Sequence, residues 1–245
     1  MPPSRSLPPI GSVRDLNITD LGVAFQPIVD MSTGKTFAVE ALARPRTPEF
    51  PNPGVLFDAA VRESATGRLG RMIREVTFES CPSIPVFVNL HPHELTSRWL
   101  VRPDDPISFH EAPVYLEITE AAAFEYFDVC MSVLKEVCAR TGSHLVIDDL
   151  GAGHSNLKRV LELEPRVVKL DIALVTDIDK LPRKQILVRH LVNLFDDLGA
   201  RVVAEGIETA DEFTALRDCG VTLGQGYLLA RPANPVPGVT WPPPR

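Results

Sequence analysis

Several short apolar runs of the sequence end in a polar residue whose side chain can bind a metal ion or move a proton. LVIDD ends in Asp148 and Asp149, VYLE ends in Glu117, and VFVN ends in Asn89. Five further polar residues lie within or just after other runs of this kind: Glu40, Lys169, Asp171, Glu205 and Gln225. The carboxylate and amide oxygens of this set suit hard cations such as Mg²⁺ or Mn²⁺, with Ca²⁺ able to compete.

Bringing four or five carboxylates together in one pocket is unfavourable unless cations neutralise them. The set therefore predicts bound divalent metal, and two ions a few ångströms apart are suited to hydrolysing a phosphate ester. Beside such ions the ammonium form of Lys169 is disfavoured, so this side chain is expected to orient or deprotonate the attacking water. Arg44 is expected to bind a phosphate oxygen.

Each of these residues also has a simpler interpretation when it is taken alone. Asp148 could cap the following helix, Asn89 could form a turn, and Lys169 could be a surface lysine with a buried stem. Glu208 could open the helix that begins near Ala210. These interpretations do not explain why so many consecutive runs end in this way, and that recurrence favours a shared site.

The ends of the runs meet only if the runs are strands of one sheet, and the sequence pattern predicts such a sheet. Val23–Val29 and Thr36–Leu42 are joined by a short spacer containing glycine, which predicts a hairpin. Further strands are predicted near Val86–Asn89, Val114–Ile118, His144–Asp148, Val167–Leu170, Val202–Glu205 and Thr222–Leu223. Helices are predicted at Val55–Ser64, Arg68–Ser80, Phe124–Arg140, Arg183–Leu198 and Ala210–Cys219.

Eight strands alternating with helices predict an α/β fold, a modified (β/α)8 barrel of the TIM type, in which the hairpin makes one strand antiparallel. The polar run ends would then meet at the carboxyl end of the barrel, where barrel enzymes hold their active sites. The 245 residues are expected to form one domain over residues 19–236. Residues 1–18 are expected to be a disordered or extended tail, and residues 237–245 a proline-rich tail.

Charge and composition limit the partners and the compartment. The net charge is −7 without a run of lysine and arginine, which argues against binding to a nucleic-acid duplex. No apolar stretch approaches the ~18 residues of a membrane span, so no membrane insertion is expected. The beginning of the sequence does not resemble a signal peptide, and the four cysteines form no CxxC pair. These features predict a cytoplasmic location with reduced thiols.

Eight segments occur in this order along residues 21–233: FQPIVD, EALAR, FVNLHP, LEITE, IDDLGAG, VKLD, AEGIET and GQGYLLARP. Together they resemble the EAL family of bacterial cyclic di-GMP phosphodiesterases, and the ordered set is far more specific than the letters EAL alone. The resemblance implies a modified barrel that cuts one phosphodiester bond of cyclic di-GMP to give linear pGpG. It also implies two Mg²⁺ or Mn²⁺ ions as cofactors, inhibition by Ca²⁺, and a homodimer.

The resemblance assigns a role to each matching residue. It implies metal ligands at Glu40, Asn89, Glu117, Asp148 and Asp149. It implies catalytic roles for Lys169, Glu205 and Glu40. Substrate contacts are implied for Gln26, Leu42, Arg44, Asp171 and Gln225. The loop after Asp149 is expected to be positioned by Glu120 and Glu208.

Two further functions compete with hydrolysis. The chain could be a catalytically silent receptor that binds cyclic di-GMP and signals through a partner, or a protein-interaction scaffold that binds no nucleotide. The complete set of acidic ligands favours the active enzyme. The loop DLGAGHSN departs from the family's common DFGxGYSS at Leu150, His154 and Asn156, and His154 has an alternative interpretation as a metal ligand.

Overall fold

The computed structural model describes residues 11–96, 99–120, 127–152 and 157–241. Eight strands in these residues form a closed barrel in which each strand pairs with its neighbours in the sequence. The strands are β1 (Leu21–Asp30), β2 (Thr36–Pro45), β3 (Val86–Asn89), β4 (Val114–Thr119), β5 (His144–Leu150), β6 (Val167–Leu170), β7 (Arg201–Ala204) and β8 (Leu223–Gly224). The predicted barrel architecture is therefore confirmed.

The opening hairpin makes β1 the antiparallel strand. β1 runs antiparallel to β2 and to β8, whereas the remaining neighbours are parallel. β2 extends three residues beyond its predicted end at Leu42, because its pairing with β1 continues to Leu21 and Pro45. The apolar pattern fades over these last residues, so the sequence alone underestimates the strand.

Helices cover the barrel between the strands. They are α1 (Pro53–Arg62), α2 (Thr66–Ser80), α3 (Pro92–Leu95), α4 (Phe127–Val129, continued by the π-helical turn Cys130–Leu134 and by Lys135–Thr141), α5 (Leu157–Leu163), α6 (Ile172–Val175), α7 (Pro182–Asp197) and α8 (Ala210–Asp218). α1 begins where the sequence supplies start signals, since the Asn52 side chain accepts a hydrogen bond from Val55 N and Pro53 occupies the first turn. Residues 124–126 of the helix predicted at Phe124–Arg140 lie outside the described residues.

One layer of side chains fills the inside of the barrel. It consists of Ile28, Ala38, Phe87, Tyr115, Val146, Val167, Val203 and Leu223. The rings of Phe87 and Tyr115 stack within it at a centroid distance of 4.3 Å. Since successive side chains of a strand point to opposite faces, the residues two positions further along the parallel strands point into the barrel as well. The apolar layer therefore forms the floor of whatever lies at the carboxyl end.

The two ends of the described chain pack against the barrel. Residues 11–18 differ from the expected loose tail, because they contain the 3₁₀ turn Val13–Asp15 and Val13 is completely buried beside α1 and α2. Val239 and Trp241 near the other end also pack against the core. Within the residues that the structure describes, no helix combines the length and the apolar character that a membrane span requires.

Candidate active site

The polar residues of the site form a second layer inside the barrel, directly above the apolar floor. Counting two residues on from the floor positions of β2 to β8 leads to Glu40, Asn89, Glu117, Asp148, Lys169, Glu205 and Gln225. β1 runs the other way, so its member of this layer, Gln26, comes two residues before Ile28. The alternation of strand side chains and closure of the barrel thus bring together eight side chains that are far apart in the sequence.

Lys169 lies at the centre of this layer and is almost completely buried. Its Nζ is 2.5 Å from Glu205 Oε1 and 2.7 Å from Glu117 Oε1. It is also 3.3 Å from Asp148 Oδ1 and 3.6 Å from Glu40 Oε2. One cation therefore faces four carboxylates, which leaves the cluster with an excess of negative charge.

The titration of these groups reflects burial first and then their mutual charges. Burial raises the pKa of Glu117 well above its ordinary value, and Lys169 only partly offsets this. Burial likewise raises the pKa of Glu205 to about 8. For Lys169, burial acts to lower the pKa, but Glu117 and the other carboxylates outweigh it and raise the pKa well above the usual range. The protein groups alone thus favour the ammonium form of Lys169, opposite to the effect expected from nearby cations.

Two amide side chains orient the carboxylate of Glu40, and a third, Gln26, contacts one of them. Asn89 Nδ2 donates to Glu40 Oε1 at 3.0 Å, and Gln225 Nε2 donates to Glu40 Oε2 at 2.7 Å. Gln225 Nε2 also donates to Gln26 Oε1 at 3.0 Å, while Gln26 Nε2 donates to the carbonyl oxygen of Ala230 at 3.1 Å. Glu40 is therefore fixed by hydrogen bonds from two sides before any ligand binds.

Asp148 and Asp149 turn toward the same side because the strand is interrupted there. The β5–β6 register shifts between Ile147 and Leu150, and Asp149 has a left-handed backbone with φ of 57°. As a result, carboxylate oxygens of Asp148, Asp149 and Glu205 lie within 4.8 Å of one another. Strained backbone at such a place is typical of a functional site.

The donor set fits a hard divalent cation. Within the part of the chain that the structure describes, neither carboxylate oxygen of the buried Glu117 receives a well-aligned hydrogen bond, and no group donates to the buried Gln225 Oε1. Buried oxygens of this kind are unfavourable unless something positive contacts them, and Lys169 alone does not balance four carboxylates. An oxygen-only donor set matches Mg²⁺, Mn²⁺ or Ca²⁺ better than Zn²⁺.

A cavity of about 270 Å³ adjoins the polar layer where β2 and β3 end. Its lining includes Leu42, Arg44, Phe57 and Asn89. Arg44 is exposed, and its side chain donates to the neighbouring carbonyl oxygen of Ala43 at 2.9 Å. The cavity offers an apolar wall with a cation at its edge, next to the carboxylates. A larger cavity of about 530 Å³ lies near the start of β5 to β7, away from these groups.

The remaining predicted residues lie around this centre with different contacts. Glu120 Oε2 accepts a hydrogen bond from Gly151 N at 3.3 Å, so this side chain does contact the loop after Asp149. Glu208 is exposed, and its backbone amide donates to Glu212. Asp171 caps α6 by accepting a hydrogen bond from Ala173 N at 2.8 Å. His154 and Asn156 lie outside the described residues.

One buried charged cluster near the site was not anticipated from the sequence. Arg74 of α2 contacts Glu94 of α3 and also Asp105, and all three side chains are at most 2 % exposed. The sequence feature that could have indicated this cluster is the position of Arg74 on the apolar face of α2, four residues after Gly70 and four before Phe78. Such an arginine needs a buried acidic partner, but the sequence does not indicate which acid supplies it.

Comparison with known proteins shows which family shares these features. The model of the EAL domain matches residues 13–232. The chain is 30 % identical over 226 residues to cyclic di-GMP phosphodiesterase PA2567 of Pseudomonas aeruginosa, covering 87 % of this chain and 38 % of that protein. The chain therefore spans well under half the length of that relative.

Solved structures of BlrP1 from Klebsiella pneumoniae have the same fold. A complex of BlrP1 with calcium and cyclic di-GMP superposes with a TM-score of 0.76 at 30 % identity, covering 90 % of this chain and 58 % of that chain. A manganese and cyclic di-GMP complex gives a TM-score of 0.74 at 31 % identity, covering 87 % and 56 %. Both the family match and the shared fold extend over most of the sequence, and the chain belongs to the EAL domain family.

Proposed function

We propose that this chain hydrolyses one phosphodiester bond of cyclic di-GMP and releases linear pGpG. The observation that carries the proposal is the polar layer itself, in which Glu40, Glu117, Asp148 and Glu205 surround Lys169 at the mouth of a closed barrel. The relative PA2567 is named a cyclic di-GMP phosphodiesterase, and BlrP1 binds cyclic di-GMP together with metal ions.

We infer that the chain acts with Mg²⁺ or Mn²⁺, in two sites. The first set of ligands would be Glu40, Asn89, Glu117 and Asp148, and Asp149 would join Asp148 in the second. Bound ions of this type make water a stronger nucleophile and neutralise charge that develops on a phosphate. Ca²⁺ is expected to occupy the ligands with looser geometry and to inhibit.

The protein groups then have separate tasks. Asn89 and Gln225 hold the Glu40 carboxylate in one orientation through hydrogen bonds to its two oxygens. Lys169, fixed among the carboxylates, would orient the attacking water beside them. Arg44 would bind a phosphate oxygen at the edge of the adjoining cavity. Gln26, Leu42 and Asp171 are proposed as further substrate contacts, and Glu205 as a group that holds a water beside Lys169.

The loop that follows Asp149 is proposed to be positioned by acidic side chains. Glu120 supports this through its hydrogen bond from Gly151 N. Glu208 has an exposed side chain near the start of α8, so its contribution rests on the family resemblance alone. The cytoplasmic location stays a prediction.

The decisive experiment is incubation of the protein with cyclic di-GMP and separation of the products by liquid chromatography. We expect pGpG with Mg²⁺ or Mn²⁺, and no product with EDTA or with Ca²⁺ alone. The Glu40→Ala variant should produce none with any ion, because one ligand and the centre of the amide network are lost. Nucleotide that is bound and released uncut by the wild type would instead favour the silent receptor, and absence of any binding heat would favour the scaffold.

We further propose that the chain forms a homodimer through α7. Leu187, Leu191, Leu194 and Leu198 follow one another at spacings of four, three and four residues, which puts them on one stripe of the helix. Leu187 and Leu198 are about half exposed, and seven of the eleven exposed large hydrophobic residues of the described chain lie within residues 161–198. Exposed apolar residues that cluster on one face often mark a protein–protein interface.

The charges of α7 support an antiparallel pair of these helices. Arg183 and Arg189 lie in its first half and Asp196 and Asp197 in its last turn, which is the unfavourable order for the helix dipole. A two-fold axis across the stripe would place the basic half of each α7 beside the acidic end of the other.

The dimer is tested by light scattering coupled to size-exclusion chromatography. The wild type is expected at twice the mass of the 26.9 kDa chain. Leu194→Glu should elute as a monomer with an unchanged circular dichroism spectrum, because a carboxylate in the stripe would face its own copy. A monomeric wild type, or a dimer that survives this substitution, would contradict the proposal.

A further inference from the structure

The buried cluster of Arg74, Glu94 and Asp105 connects three separate parts of the chain. Arg74 Nε and Nη2 donate to the two oxygens of Asp105 at 3.1 and 2.7 Å, and Arg74 Nη1 donates to Glu94 Oε2 at 2.8 Å. These bonds tie α2 to α3 and to the start of the 3₁₀ turn Pro106–Phe109, where Asp105 Oδ1 also accepts Ile107 N. The planar guanidinium fixes both carboxylates in direction as well as in distance.

The Glu94 carboxylate fixes the turn that follows β3. Its Oε1 accepts a hydrogen bond from His91 N at 3.1 Å, while Glu94 N donates to the His91 carbonyl oxygen at 2.8 Å. His91 is only two residues after Asn89. Asn89 itself is in register with Glu117 of β4, and the next residue, Leu90, donates its N–H to the carbonyl oxygen of Glu117 at 2.8 Å. Asn89 therefore ends a strand that is paired with β4, and the turn held by the charged cluster begins two residues later.

The surroundings of Glu94 are shaped for this arrangement. A Cβ atom on residue 70 would lie 1.9 Å from Glu94 Oε2, so only glycine at this place in α2 lets the carboxylate approach the helix. Gly70 and Arg74 both line the cavity that also reaches Asn89. The cluster and the polar layer thus share one wall.

Stability alone is a weak reason for such a cluster. Removing three charged groups from water is unfavourable, and well-packed apolar residues in place of a buried ionic cluster often give equal or higher stability. What the cluster supplies is a fixed direction for the Glu94 carboxylate, and through it a fixed turn after Asn89. Asn89 itself is exposed, and among the described residues its side chain hydrogen-bonds to Glu40 alone, so its position depends on that backbone.

We infer that Arg74, Glu94 and Asp105 form a positioning network that holds Asn89 in place for divalent metal binding. The inference rests on the proposed function in one respect, since it takes Asn89 to be a metal ligand. Groups that hydrogen-bond to the ligands of a metal ion typically weaken metal binding by 10- to 100-fold when they are removed. The network acts one step further out, through the backbone, so an effect of about tenfold is expected.

The main test is Mn²⁺ binding to the Glu94→Gln variant, measured by calorimetry without nucleotide. Glutamine keeps the size of Glu94 and can still accept from His91 N, but it no longer carries the charge that fixes Arg74. We expect about tenfold weaker Mn²⁺ binding. The matched control Glu75→Gln breaks the partly exposed Arg71–Glu75 pair of the same helix and should bind Mn²⁺ as the wild type does.

A double-mutant cycle shows whether the effect passes through Asn89. If it does, Glu94→Gln should weaken Mn²⁺ binding much less in an Asn89→Ala background than in the wild type, because the group being positioned is already gone. Fully additive effects would overturn the inference. Unchanged Mn²⁺ affinity in Glu94→Gln would overturn it as well.

A second variant covers the case in which Glu94→Gln does not fold. Gly70→Ala displaces the Glu94 carboxylate without removing a charge, and alanine is the better helix residue. It should weaken Mn²⁺ binding in the same direction, and wild-type affinity in this variant would contradict the role of the network.

Amide hydrogen exchange of residues 90–95, measured without metal, tests the network independently of whether the protein binds Mn²⁺. If the wild type binds no Mn²⁺, the proposed function fails. The exchange rates of the wild type and Glu94→Gln still show whether the network holds the turn. Faster exchange of this segment in Glu94→Gln, with residues 144–150 unchanged, would support the positioning of the turn. Equal exchange in both proteins would overturn it.

Discussion

Replacing Glu117 by glutamine is expected to lower kcat/KM for hydrolysis of cyclic di-GMP by more than a hundredfold. The Glu117 side chain is completely buried, and its Oε1 is 2.7 Å from Lys169 Nζ. Among the described residues no group donates a well-aligned hydrogen bond to either of its oxygens, so both can contact a positive charge that enters the layer. Losing an outer-shell partner of a metal site lowers activity or affinity 10- to 100-fold, and loss of a direct ligand should exceed that.

The measurement is the initial rate of pGpG formation over a range of Mn²⁺ concentrations. Glutamine preserves shape, so the circular dichroism spectrum should stay that of the wild type, and the loss should persist at high Mn²⁺. Glu136→Gln is a suitable control, because Glu136 is a largely exposed residue of α4 whose partner Arg140 lies 3.8 Å away on the surface. A Glu117→Gln enzyme with a rate near the wild type would remove this residue from the ligand set.

The position of the polar layer follows from the sequence, given the barrel. Phe87, Val146 and Val167 are floor residues, and two positions later each strand carries Asn89, Asp148 or Lys169. Period-two alternation and the closed sheet suffice to bring such residues together. Fold class and layer were therefore predictable from local pattern.

The exact contacts were not predictable in the same way, because they depend on packing between distant segments. Arg74 and Asp105 are 31 residues apart, and no local pattern pairs them. The left-handed backbone of Asp149, a residue type that adopts it more readily than most, arises where the pairing of β5 with β6 shifts. The sequence indicated that both aspartates could reach the pocket, whereas the geometry that allows this appears only in the folded sheet.

The electrostatic setting of Lys169 in the metal-free protein is the reverse of the setting expected beside bound metal ions. Reasoning from expected metal ions made its ammonium form unfavourable, whereas the four carboxylates within 3.6 Å raise its pKa. Both statements concern the same balance, since each cation that enters the layer competes with Lys169 for the same oxygens. This balance leads to a prediction about stability rather than rate.

Replacing Lys169 by methionine is expected to destabilise the metal-free protein by about 3–5 kcal/mol, the usual effect of removing one partner from a buried ion pair. Methionine has nearly the same length, so the loss is mainly one of charge: four carboxylates would remain around a neutral side chain. In urea denaturation with EDTA the midpoint should fall well below that of the wild type. The matched variant Lys180→Met, which removes a lysine of an exposed pair with Asp177, should leave the midpoint unchanged.

Added Mn²⁺ should then restore much of the lost stability in Lys169→Met, because a divalent cation supplies the charge that the lysine no longer provides. The gain in midpoint on adding Mn²⁺ should be larger for this variant than for the wild type. Hydrolysis should nevertheless stay far below the wild-type rate when the ions are saturating, since the group that orients water beside the carboxylates is absent. Equal midpoints for the two proteins in EDTA would mean that Lys169 does not balance the charge of the layer, and full activity of the variant with Mn²⁺ would limit the lysine to that structural role.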